Sequence, residues 1–138
     1  MNLTGRPISI AYAVLLAGCA GFALRQTEGI MFGIGESPGA IGFAAGAFLS
    51  VTVLSTAALA IAALGSWTRW PVFSLIGIVS AVGILPTATL FFRQTMDATY
   101  WQYNGPWAAV ADILPLFLDI AVVWLSWLRF RQLTRRVS

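Results

Sequence analysis

Two aspartates seven residues apart, Asp112 and Asp119, stand in an otherwise apolar stretch, WAAVADILPLFLDIAVVWLSWL, residues 107–128. As a helix this stretch spans roughly 33 Å, enough to cross a hydrocarbon core of about 30 Å. Seven residues at about 100° each bring both carboxyl groups to nearly one face. Pro115 lies between them on that face and has no N–H to give the Ala111 carbonyl. Ala108, Asp112, Pro115, Asp119, Val122 and Ser126 then form one polar stripe, with Trp107, Leu114, Phe117, Leu118, Trp124, Leu125 and Leu128 on the flanks.

A carboxylate near a bilayer centre costs about 2.5–3.5 kcal/mol by insertion scales, so it is directed at protein or water rather than lipid. Two chemistries suit such a pair. One is a proton or cation site, with Asp119 as carrier, Asp112 as relay toward the outside, and hydroxyls of the second span completing the coordination. The other is a polar contact that fixes the chain against another subunit. Arg93 or Arg25 is within expected reach of Asp112, whereas Asp119 has no evident counter-ion in the chain.

The elements that must hold these groups are apolar. Of 138 residues 59% are hydrophobic and 9% charged, against about 25% charged in a soluble domain. The expected fold is all-α: one domain of four transmembrane helices over 8–24, 38–64, 71–92 and 107–128, a compact up-down bundle, with a basic tail at 129–138. The first span, ISIAYAVLLAGCAGFAL, contains Leu16-Ala17-Gly18-Cys19, which matches the lipobox of bacterial lipoproteins. The apolar run continues past Cys19 to Leu24, so a small packing residue inside a helix is the expected role of Cys19. RQTEGIMFGIGES, residues 25–37, has three glycines and three charges and is expected to be an interfacial loop.

In the second span Gly42, Gly46 and Ser50 form a ladder of small residues suited to close helix packing. Thr52, Ser55 and Thr56 place hydroxyls mid-span. Gly77 and Ala81, with Ser74, give the third span a similar face. Pro86 in that span frees the Val82 carbonyl and predicts a kink. The polar loop after it is rich in aromatics. Tyr100, Trp101, Tyr103 and Trp107 fit an interfacial belt, with stacking on a quinone, lipid or sugar as the competing use.

Some chemistry is excluded. With no histidine and one cysteine, the chain offers no histidine base, no histidine-ligated haem or zinc and no thiolate cluster. Cofactors bound through His or Cys are therefore not expected; lipid contacts are. All eight basic residues are arginine, and four of them, Arg129, Arg131, Arg135 and Arg136, are near the chain end. Their position beside a membrane helix makes them a topology signal and a contact for headgroups or an acidic partner, at about 1 kcal/mol each near an anionic surface, rather than a nucleic-acid footprint. Four spans put Arg6, Arg69 and these four on one side, leaving Arg25 and Arg93 on the other. The positive-inside rule then predicts cytoplasmic termini, in a bacterial inner membrane.

From the sequence, the first functional expectation is a small non-catalytic subunit of a larger membrane complex, partnered by the bilayer and by other subunits or its own copies. The alternative is a small oligomeric proton- or cation-coupled transporter or channel using Asp119 and Asp112. A lipid-acting enzyme has less behind it, since no nucleophile motif or phosphate loop is present.

Overall fold

In the computed structural model residues 5–36, 43–68 and 70–137 are described. Five helices follow one another: α1 Arg6–Glu36, α2 Phe43–Gly65, α3 Pro71–Gln94, α4 Tyr100–Tyr103 and α5 Pro106–Val137. No strand occurs among the described residues. Four of these helices are long and apolar enough to span a membrane, over Arg6–Met31, Gly46–Gly65, Pro71–Gln94 and Pro106–Arg135. The chain thus reads as an integral membrane protein built from helices.

The distribution of side chains agrees with that environment. Val14, Leu54, Leu64, Val79 and Trp124 are exposed, a surface that lipid tolerates and water does not. Meanwhile Ser9, Gln26, Thr52, Ser74, Ser80, Thr87, Asp112, Asp119, Ser126 and Arg129 are buried. The helices meet along polar stripes and show their apolar flanks outward.

Each stripe follows a spacing of three and four residues, the repeat that keeps one helix face on a neighbour. On α1 the buried positions are Ser9, Tyr12, Leu16, Cys19, Ala23 and Gln26, with Thr27 beside the last; on α5 they are Ala109, Asp112, Pro115, Asp119, Val122, Ser126, Arg129 and Leu133. α3 contacts α5 most extensively; α2 contacts both α1 and α3, and α1 also touches α5 and α3. Close approach at one crossing needs a glycine: a Cβ on Gly77 would lie 3.0 Å from Ser126 Oγ and 3.1 Å from Tyr12 Oη.

Three boundaries differ from expectation. Residues 25–36 are not a loop but the last third of α1. Gln26 and Thr27 are buried there and Thr27 Oγ1 donates to the Ala23 carbonyl, so inward-facing groups hold the helix through glycines that favour a loop. Residues 129–137 are not a free tail, because α5 continues to Val137 with Arg129 and Leu133 on its buried stripe. The segment between α3 and α5 carries the short helix α4. Pro86 and Pro115 both lie inside helices that continue through them.

Candidate functional site

Asp112 is 4% exposed and both its oxygens are occupied. Arg25 Nη1 donates to Oδ1 at 2.7 Å, and the Tyr100 hydroxyl donates to Oδ2 at 2.5 Å. Among the described residues Arg25–Asp112 is the one ion pair; the arginine side chain is 45% exposed and the aspartate side chain 6%. The continuation of α1 beyond residue 24 is what brings Arg25 there. Tyr100 comes from α4, which Trp101 Nε1 ties to the Thr95 carbonyl at 2.8 Å and Asn104 Nδ2 ties to the Tyr100 carbonyl at 2.9 Å. The Tyr100 and Trp101 rings meet edge to face at 5.6 Å. Desolvation, then the adjoining Asp112 carboxylate, pushes the Tyr100 hydroxyl up to about 12, so it remains a donor at neutral pH. Nearby, exposed Asp97 accepts from the Thr99 N–H and hydroxyl, which hold its carboxyl below the usual range.

Asp119 is 3% exposed, and the buried thiol of Cys19 on α1 stands beside its carboxyl group. No ion pair reaches Asp119 among the described residues. Cys19 lies mid-helix as expected, but its thiol faces an acid rather than only filling space.

Seven residues further along α5, Ser126 hydrogen-bonds the Tyr12 hydroxyl, and Ser74 of α3 is also within its hydrogen-bonding reach. Beyond them lies Arg129, assigned from sequence to a membrane surface or partner. That expectation is corrected: Arg129 is 3% exposed. Its Nη1 donates to Ser9 Oγ at 3.0 Å and its Nη2 to the Ser66 carbonyl at 2.9 Å. Its guanidinium lies 5.1 Å from the Tyr12 ring centroid. One cation thus joins α1, the α2–α3 turn and α5, because Arg129 follows Ser126 by three residues and falls on the inward stripe. Arg131 and Arg135 are exposed, as surface contacts require.

The remaining assigned residues divide. Pro115 is buried on the aspartate stripe, and Gly77 and Ala81 are buried between helices. Gly46 and Ser50 are exposed and line no interface within the described chain; Ser50 Oγ donates back to the Gly46 carbonyl at 2.9 Å. Gly42, Arg69 and the Arg136 side chain lie outside the described residues. The second-span hydroxyls do not serve the aspartates in the hydrogen bonds described: Thr52 and Thr56 bond back to Phe48 and Thr52 carbonyls, and Thr52 also meets Thr87 across α2 and α3 at 2.7 Å. Gln26, 1% exposed, leaves its Nε2 without a described acceptor. Tyr12 is not singled out by the sequence, and Cys19, Ser74 and Tyr100 are read there as packing or belt residues rather than as polar partners; Tyr12 and Cys19 share the α1 stripe of Ser9, Tyr12, Leu16, Cys19, Ala23 and Gln26. That spacing was the signal that could have found them.

Fold and site together define a membrane-spanning helical protein with a polar interior containing two acids and a buried arginine. No family model matches the sequence, and neither a curated protein nor a solved structure matches it.

Proposed function

We propose that this chain is a small proton- or cation-coupled membrane protein with Asp119 as its carrier group. One observation carries the reading: Asp119 is buried among the chain's own helices, facing Cys19, rather than on an outer surface facing a neighbour. A carboxyl group inside an apolar span without an ion-pair partner is suited to bind and release a proton or small cation. Asp112 is the less suited of the two, since Arg25 and Tyr100 already satisfy its charge. It closes one end of the interior, and Arg129 with Ser9 and Ser66 closes the other.

The four spans form an up-down bundle in this reading, with Arg6, Arg69, Arg131, Arg135 and Arg136 toward the cytoplasm and both termini inside. A bacterial inner membrane is the proposed setting. Four helices enclose little volume, so the working form is an oligomer. The second reading, an accessory subunit of a larger complex, is favoured by the exposed Gly46 and Ser50 of α2, a small-residue face available to another helix. Against it, Asp112 and Arg129, the groups it would use for docking, are already engaged within the chain.

Purified protein in liposomes carrying an internal pH-sensitive dye tests the proposal. A pH or cation gradient should dissipate faster than in empty vesicles, and Asp119→Asn should remove the difference. Recovery only as a stable hetero-complex, with no flux from the isolated chain, would favour the subunit reading instead.

A further inference from the structure

The polar interior is not continuous. Along α1 the buried stripe passes from Cys19 through Leu16 to Tyr12; along α5 it passes from Asp119 through Val122 to Ser126. Cys19 meets Asp119, and Tyr12 meets Ser126. Leu16 and Val122 therefore occupy the level between these two polar contacts. Both are 0% exposed, as are Leu59 of α2 and Ala81 of α3. Leu16, Leu59, Ala81 and Val122 belong to one apolar cluster, which also takes in Tyr12 and Cys19, and Ala81 follows Gly77 by one turn as Leu16 follows Tyr12. A Cβ on Gly77 would stand 3.7 Å from Leu16 Cδ2 and 3.1 Å from Tyr12 Oη, which puts the lower edge of this layer directly above the Tyr12–Ser126 contact.

Seven helical residues separate the two contacts, a rise of about 10 Å. A proton passes along hydrogen bonds whose heavy atoms lie about 2.5–3.2 Å apart. A layer of Leu, Val and Ala side chains supplies no donor and no acceptor, and the hydroxyl of Ser80 beside it is engaged by the Ile76 carbonyl at 2.6 Å.

We infer that the layer of Leu16, Leu59, Ala81 and Val122 is a hydrophobic gate dividing the interior into two compartments, an inference that rests on the proton-carrier reading of Asp119. On one side lie Asp119, Cys19, Gln26 and the Arg25–Asp112–Tyr100 group. On the other lie Tyr12, Ser74, Ser126 and the Arg129–Ser9–Ser66 group. Asp119 exchanges with the Asp112 side while the layer is dry. Passage to the Tyr12 side requires the layer to part and admit water, the mode in which apolar constrictions gate a pore. The transfer is then a relay: the Asp119 carboxyl gives its proton to a water, each oxygen in the chain accepts one proton and releases another, and Asp119 is left as the carboxylate until it is reloaded from the other side. No bond to carbon, sulfur or nitrogen changes.

The test is proton flux in liposomes for the wild type, Val122→Ser, Leu59→Ser and each of these combined with Asp119→Asn. The two serines reach the layer from different helices, so misfolding of one leaves the other informative. Hydration of the layer should raise flux about tenfold or more over the wild type, and Asp119→Asn should abolish the increase. Asp119-dependent conduction by the serine variants alone, with a silent wild type, also supports the gate. If the wild type conducts through Asp119 but both serine variants conduct at its level, the gate is wrong and the carrier reading survives. If no variant conducts, both fail.

Discussion

Asp112 and Asp119 share a helix, a face and nearly the same burial, 4% and 3% exposed, yet their surroundings have little in common. Asp112 has a guanidinium on one oxygen and a phenol on the other. Asp119 has a thiol. A thiol is a weak donor and carries no compensating charge. In the proposed reading the same side chain serves as a structural clasp at one level of α5 and as an exchangeable group two turns on. What separates them is how α1 is placed. Its extension past residue 24 delivers Arg25 to Asp112, whereas the residue it presents to Asp119 is uncharged.

Several measurements would break or sharpen that contrast. The largest effect on stability is expected from Arg129→Ala, which removes a buried cation that donates to Ser9 and to the Ser66 carbonyl. Each hydrogen bond to a charged group contributes about 1.5–3 kcal/mol, so loss of both should shift thermal unfolding in mild detergent by many degrees. Arg25→Ala should cost less, about 2–3 kcal/mol, because the Arg25 side chain is 45% exposed and part of its attraction is screened by solvent. It strands the Asp112 carboxylate beside Tyr100. If Asp119→Asn destabilised the fold as much as Arg25→Ala, the distinction between clasp and exchange group would fail.

Tyr100→Phe removes a single charge-assisted hydrogen bond and should cost about 1.5–3 kcal/mol. Its pH dependence gives a second check. The Tyr100 hydroxyl is raised from its ordinary value of 10.0 to about 12, so its contribution is complete below pH 10 and is lost as pH rises toward about 12. The wild type should lose stability across that window more steeply than Tyr100→Phe, measured by unfolding temperature against pH; equal slopes would mean that Tyr100 does not donate to Asp112. The smallest effect belongs to Gly46→Ala, which should stabilise the single chain by about 0.5–1 kcal/mol through helix propensity, since an added Cβ meets no atom within 4 Å. A marked change in oligomer size on gel filtration would instead assign that face to self-association.

The four spans were legible because uninterrupted apolar runs of this length have few alternatives. The aspartate stripe was legible for a similar reason, as a seven-residue interval is the same face of any helix. The ends of α1 and α5 were not. Glycines and charges made 25–36 resemble a loop, and only the burial of Gln26 and Thr27 against other helices shows what pays for the extra turns. Arg129 looked like one of a group of surface arginines, although its spacing from Ser126 continued the buried stripe. The Tyr100–Asp112 contact depends on a four-residue helix between two spans, and no local pattern encodes it. Nor could the alternation of polar and apolar layers be read from α5 alone, because it requires α1 and α5 in register.

The most direct test of the account compares Asp119→Asn, Asp119→Glu and Asp112→Asn for proton flux in sealed liposomes. The account predicts loss in Asp119→Asn, at least partial activity in Asp119→Glu, and retained Asp119-dependent flux in Asp112→Asn at reduced stability. Wild-type flux in Asp119→Asn, with loss in Asp112→Asn, would contradict it.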